Sequence, residues 1–195
     1  MSRSFAKWYD FFMGPLERKK FKGIRQELLK KARGRVLEIG SGTGLNFPLY
    51  DSVDSVTAIE PNQHMINQSI PKKELAVVPV EIIKADAENL PFEDGTFDSV
   101  VATLVFCTIP DVEKALKEMK RVCKQGGDFL LFEHVKMDNS FLARLQNWLT
   151  PVWKKVCDGC CLNRDTVELI NRQGFHFVKV QKFYKGLFVI VEMRK

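Results

Sequence analysis

The strongest constraint on this chain is Val36-Leu37-Glu38-Ile39-Gly40-Ser41-Gly42-Thr43-Gly44. A short apolar run, strand-like in length, passes directly into a turn with glycine at every second position. Glycine reaches positive φ without steric penalty and lets another molecule approach the backbone closely. A strand that opens into such a turn is the ligand-binding corner of an open α/β sheet. The rest of the chain has to supply the remaining strands and the helices that cover them.

It supplies both in alternation. Arg35–Ile39, Ser55–Ile59, Val80–Lys84, Phe97–Thr103 and Asp128–Val135 read as five strands, and Phe175–Val180 with Gly186–Met193 as a closing hairpin. Phe97–Thr103 is almost continuously apolar, as a strand buried on both faces must be. Between the strands lie helical patterns. One follows Asn62, a good N-cap, and runs to Ile70. Another opens at Pro110 with a stripe of Val112, Ala115, Leu116, Met119, Val122 and Cys123, and ends at Gly126-Gly127. The expected fold is α/β: a Rossmann-like, doubly wound, seven-stranded sheet, mostly parallel, with a C-terminal antiparallel hairpin.

The spacing beyond the turn discriminates among ligands. A dinucleotide fingerprint is G-x-G-x-x-G, whose third glycine packs the helix against the strand beneath a pyrophosphate. Here the glycines fall at 40, 42 and 44, and position 45 is Leu. Glu60 ends the second strand, where a carboxylate can accept both ribose hydroxyls. Asp86 follows the third strand, where it can accept from an adenine amino group. The combination E-x-G-x-G-x-G, Glu60 and Asp86 resembles the class I S-adenosylmethionine-dependent methyltransferases over residues 35–135.

Tyr9-Asp10, Asp86-Ala87-Glu88-Asn89-Leu90-Pro91-Phe92 and Glu133-His134-Val135 narrow the resemblance to the methyltransferase type 11 group. Pro151-Val152-Trp153, Asp158-Gly159-Cys160 and Leu162-Asn163-Arg164 are similar to methyltransferase-like proteins that methylate alkyl thiols; bacterial phospholipid N-methyltransferases share much of the core. The resemblance implies S-adenosyl-L-methionine as cofactor. It implies Glu38 and the Gly40, Ser41, Gly42, Thr43 and Gly44 turn at the methionine end, and Glu60 at the ribose with Pro61 and Met65 nearby. It also implies Asp86 and Ala87 at adenine, Thr103 and Leu104 by the sulfonium, and Tyr9 closing the site. An aromatic face suits a cationic sulfonium.

The acceptor is expected to be a small molecule, with an alkyl thiol ahead of phosphatidylethanolamine; a non-catalytic S-adenosylmethionine binder is the remaining alternative. A protonated nucleophile needs a base, and His134, ending the fifth strand, is the histidine placed to serve, or else to stand as a hydrogen-bonded structural residue. His64 and His176 read as surface residues. Cys157, Cys160 and Cys161 contain a C-x-x-C, but it follows a helix and has no second pair, so the thiols read as inert and no metal is expected. Trp148 and Trp153 read as core.

Residues 1–35 carry eleven Lys and Arg against three acids, leaving −2 for the remainder of a +6 chain. A basic N-terminal segment on a near-neutral body suits a solvated helix face or peripheral contact with an anionic membrane. Nucleic acid is disfavoured as a substrate: Leu104-Val105-Phe106-Cys107 stands where many base methylators carry Asn/Asp-Pro-Pro-Tyr/Phe. No apolar run of membrane-spanning length and no signal peptide is read, and cytoplasmic residence with reduced thiols is expected. A single methyltransferase domain is expected over 1–195. Residues 1–34 would form an N-terminal helical cover, 35–135 the cofactor-binding core, 136–174 a helical insertion over the acceptor site and 175–195 the hairpin.

Overall fold

A computed structural model describes residues 20–157 and 159–195. Tyr9, the aromatic helix expected around it and most of the expected N-terminal cover lie outside the described residues. Helix α1 (Lys22–Leu29) leads into β1 (Arg35–Ile39). Then follow β2 (Ser55–Ile59), α2 (Gln63–Lys73), β3 (Val80–Ile83), β4 (Phe97–Thr103), α3 (Val112–Val122) and β5 (Cys123–His134). Helices α4 (Ser140–Val156) and α5 (Thr166–Arg172) precede the hairpin β6 (His176–Phe183) and β7 (Phe188–Arg194).

The seven strands form one sheet in the order β3-β2-β1-β4-β5-β7-β6. The first five run parallel, and β7 is antiparallel to both β5 and β6. Consecutive strands go outward from β1 on one side and from β4 on the other, so the winding reverses between them. The register sets Ile39 beside Ile59 and Ala102, which brings the carboxyl ends of β1, β2 and β4 level. That reversal opens the crevice in which open α/β sheets bind ligands.

Alternation along the strands separates two cores. Leu37, Ile39, Val100, Ala102, Phe129 and Leu131 pack under α3, whose expected stripe of Val112, Ala115, Leu116, Met119 and Val122 is buried throughout. On the opposite side Val36, Val56, Val101, Leu130 and Phe132 meet Phe21, Leu28 and Leu29 of the α1 segment. Complete burial of such a side chain contributes about 1.5–3 kcal/mol, so each face is strongly specified. Asn62 caps α2, accepting from the His64 amide at 2.8 Å.

Elsewhere the structure departs from the sequence reading. Helix α2 continues past Ile70 through Pro71 to Lys73, and β3 ends one residue early, at Ile83. Asp111, one residue beyond the expected start at Pro110, is the N-cap of α3, accepting from the Lys114 amide. Cys123 is already extended and pairs with Phe97 before the Gly126-Gly127 turn, so the glycines interrupt β5 and do not end the helix. Pro151 sits inside a continuous α4.

The larger correction concerns which way α4 faces. Its apolar residues are exposed, Phe141 by 72% and Trp148 by 75%, and Trp153 is also outside the core. The buried face is Ala143, Gln146 and Thr150. Gln146 accounts for this. Its amide nitrogen donates to the Val135 and Leu162 carbonyls, and its oxygen accepts from the Met137 amide. Buried backbone groups must be satisfied, and this one side chain satisfies three. No described helix is long and apolar enough to cross a membrane.

Helix α5 is capped by Asp165, which accepts from the Glu168 amide; the nearby Asn163 amide donates to Asn147. Replacing an N-cap acid by Ala costs about 0.5–2 kcal/mol. Asp165→Ala is therefore expected to lower the unfolding free energy by about 1 kcal/mol in urea denaturation, and Asn163→Ala by much less.

Candidate active site

A cavity of about 620 Å³ opens at the carboxyl ends of β1, β2 and β3, within the usual range for small-ligand sites. Gly40, Glu60, Pro61, Asp86 and Ala87 line it, facing Val105 and Ile109 from the segment after β4. The turn that forms its floor is pinned to β2. Ser41 donates its amide to the Ile59 carbonyl at 3.1 Å, and Gly42 donates to Glu60 Oε2 at 3.0 Å. Glu60 Oε1 accepts from the Asn62 amide at 2.9 Å, and the residue is only 6% exposed. The carboxylate is thus held in place by backbone donors from the turn and from the start of α2.

Two of the glycines are required for different reasons. At Gly40 (φ +63°) an added Cβ would lie 2.2 Å from Val105 Cγ2. At Gly42 (φ +54°) it would meet nothing within 4 Å among the described residues, so the turn faces open space there. Beside it Ser41 Oγ is buried without a hydrogen-bond partner among the described residues. An unpartnered buried hydroxyl in a glycine turn, a pinned carboxylate and an open cavity fit the polar end and ribose of an adenosyl ligand.

Glu38 lies behind the turn, away from the cavity wall. Its carboxyl accepts from Tyr50 at 2.9 Å and Asn46 at 3.0 Å. Asn46 and Arg25 both donate to the Thr103 hydroxyl, at 3.0 and 2.6 Å, and Arg25 also donates to Asn46. Burial pushes the Glu38 carboxyl up to about 7, opposed by these hydrogen bonds and by the nearby Arg25 charge. Thr103 is thereby turned into the network. Leu104, just beyond it, is left-handed at φ +56°, a conformation rare for a branched side chain. Thr43 and Met65 are buried off the cavity wall. Exposed His64 lines the cavity mouth, whereas exposed His176 does not. Arg25, Asn46 and Tyr50 carry no signal in the linear sequence, because they meet only through tertiary structure.

At the end of β5, Glu133 Oε1 accepts from the Val105 and Phe106 amides at 2.9 and 3.2 Å. Glu133 Oε2 and His134 Nδ1 are buried without partners among the described residues. His134 Nε2 lies 3.3 Å from Cys160 Sγ, and Cys107 Sγ completes a group whose ligand atoms all lie within 4.8 Å of one another. The C-x-x-C cysteines are therefore separated in role. Cys160 joins His134, Cys161 turns to the Gly159 carbonyl and Arg164, and Cys157 is half-buried. The hydrogen bond shared with Cys107, followed by His134, holds the Cys160 thiol well below its usual range against the opposing effect of burial. The same shared bond, then burial, raises Cys107. This loop docks on the segment after β4 through Cys161 N to Cys107 O at 2.9 Å and Arg164 to Ile109 O at 2.6 Å.

Comparison with known proteins agrees with this geometry. Residues 37–131 match the methyltransferase domain family. The chain is 36% identical to a phosphatidylethanolamine N-methyltransferase of Cereibacter sphaeroides over 153 residues, 76% of this chain and 75% of that one. It is 30% identical to the thiol S-methyltransferase TMT1A of Homo sapiens over 190 residues, 90% of this chain and 78% of that one. A solved S-adenosylmethionine-dependent methyltransferase of Aquifex aeolicus superposes with a TM-score of 0.69 at 20% identity, each chain covered in full. The chain belongs to the S-adenosylmethionine-dependent methyltransferases.

The two buried carboxyls predict a pH response. Burial raises Glu133 to about 7 from an ordinary value of 4.5, as it does Glu38. An acid raised on folding contributes stability that is full below the unfolded value and lost as pH passes the folded one. Chemical denaturation is expected to show stability falling between about pH 4.5 and about pH 7, by at most about 1.4 kcal/mol per pH unit for each carboxyl. Glu133→Gln keeps an acceptor for the two amides and should flatten the slope in part. An unchanged slope would remove Glu133 as a source.

Proposed function

We propose that this methyltransferase acts on a small alkyl thiol. The observation that carries the reading is the His134–Cys160–Cys107 group, which sits beside the segment that walls the cavity. The similarity to a thiol S-methyltransferase runs over 90% of the chain, well beyond the family core ending at residue 131.

S-adenosyl-L-methionine, when bound, supplies an electrophilic methyl group on a sulfonium, and the protein supplies position and a dry pocket. Glu60 would hold the ribose hydroxyls with Pro61 alongside, and Asp86 and Ala87 the adenine. Gly40, Ser41 and Gly42 would meet the methionine end. Glu38, Thr43, Gly44, Met65, Thr103 and Leu104 would shape the turn and strand ends from behind. Residues 136–174 would back the acceptor side, with Tyr9 and its segment as a further cover. A thiol, with an ordinary pKa of about 8.5, has to lose its proton to attack. Among the described residues, the group around His134 is the one placed to bring this about.

A phospholipid amine is the second reading, favoured by the Cereibacter relative and by exposed Lys22, Lys30 and Lys31 along the α1 segment. Each basic residue near an anionic surface contributes about 1 kcal/mol. Transfer from labelled cofactor separates the two. With an alkyl thiol, a thioether should form without vesicles, at a rate that rises with pH and is nearly indifferent to salt. Transfer that needs anionic phosphatidylethanolamine vesicles and collapses at high salt would overturn the thiol reading.

A further inference from the structure

We propose that Cys107, His134 and Cys160 form a three-ligand site for a thiophilic cation of the zinc class, with its fourth position open to the acceptor thiol. The second clause rests on the thiol reading above, whereas the ligand set does not. Two sulfurs and an imidazole nitrogen, all within 4.8 Å of one another, are the donor set that zinc prefers. Tetrahedral zinc with bonds of about 2.3 Å to sulfur and 2.0–2.1 Å to nitrogen has sulfur–nitrogen edges of about 3.6 Å and sulfur–sulfur edges of about 3.8 Å. The His134–Cys160 edge is 3.3 Å and no edge exceeds 4.8 Å, so each has to shift by about 1 Å or less.

The three ligands come from separate segments, each fixed by its backbone. His134 ends β5, paired with Phe188 of β7. Cys107 follows β4, where the Val105 and Phe106 amides are tied to Glu133. The Cys160 loop is fastened to Cys107 through the neighbouring Cys161 amide. Sites held this way need little reorganisation. His134 Nδ1 is buried with no partner among the described residues; coordination at Nε2 would put the ring proton there, where a metal-bound histidine ordinarily donates to an acceptor or water. Cys161 is turned away toward Gly159 and Arg164. Among the described residues no other His, Cys, Asp or Glu joins the group. Three protein ligands and one open position distinguish catalytic zinc sites from structural ones.

The three ligands do not themselves line the cavity, but Cys107 lies between Val105 and Thr108, both on its wall, and the open position is placed toward that side as part of the proposal. An acceptor thiol that takes this position gives its proton to solvent, since a coordinating thiol is deprotonated outright. The acceptor sulfur then forms the new S–C bond as the methyl–sulfonium bond breaks, whose electron pair stays on the departing sulfur. The neutral thioether is a poor ligand and leaves.

The test uses the full chain, reduced and freed of metal, titrated with Co2+ and then Zn2+. One Co2+ per chain is expected, with a thiolate-to-cobalt charge-transfer band that Zn2+ abolishes. Cys107→Ser and Cys160→Ser should each reduce the band, and the double variant should lose it. Cys157→Ser should keep it, and unchanged S-adenosylhomocysteine binding checks that each variant is folded. Adding an alkyl thiol to the cobalt form should intensify the band. Absence of the band in the unmodified chain, its survival in the double variant, or its indifference to the thiol would overturn the proposal. Thiol methylation at full rate by metal-free protein would also overturn it while leaving the thiol reading intact. A bound metal with no thiol methylation would remove the open-position clause and the thiol reading together.

Discussion

The hydrogen bond from the Gly42 amide to the Glu60 carboxylate is the constraint on which the site depends. It joins the turn after β1 to the residue that ends β2, so the floor and the side wall of the cavity form one unit. The joint is possible because β1 and β2 end in register, Ile39 beside Ile59, and because glycine at positive φ lets the backbone turn toward the carboxylate. From behind, Glu38 holds the same turn through Asn46, and Arg25 ties Asn46 to Thr103 at the end of β4. A half-satisfied polar network of this kind would be worse than an apolar core. Each donor and acceptor in it therefore helps to specify a single conformation of the turn.

The acceptor side follows a different logic. Glu133 replaces missing strand partners for the Val105 and Phe106 amides and so fixes how the chain leaves β4. That fixes Cys107, onto whose carbonyl the Cys160 loop then docks. The chemistry-bearing groups here are thus positioned by backbone hydrogen bonds from three segments, while the apolar face of α4 is left outward. The fold itself does not dictate the acceptor; in the function proposed above, the side chains on these late segments do.

What was legible in the sequence was local. Gly40, Gly42, Glu60 and Asp86 could be read because a turn and two strand ends carry their own signals at short spacing. The α3 stripe could be read because periodicity and burial agree. In α4 they disagree: periodicity selects Phe141, Leu145 and Trp148, but Gln146 satisfies three backbone groups and turns the opposite face inward. Asn163 and Asp165 are equally good caps by residue type, and the choice was made by a contact to Asn147. Arg25 reads as one more solvated charge until it is seen buried against Asn46 and Thr103. Cys107, His134 and Cys160 stand 27 and 26 residues apart, too far for any motif, and only the parallel register of β4 and β5 and the docked loop bring them together.

The central claim is that Glu60, fixed by the glycine turn, holds the cofactor. Calorimetric titration of S-adenosylhomocysteine into the intact chain and into Glu60→Ala tests it most directly. A hydrogen bond to a charged group contributes roughly 1.5–3 kcal/mol, so the variant should bind at least about tenfold more weakly while remaining folded. Equal affinity in the two proteins would contradict the account.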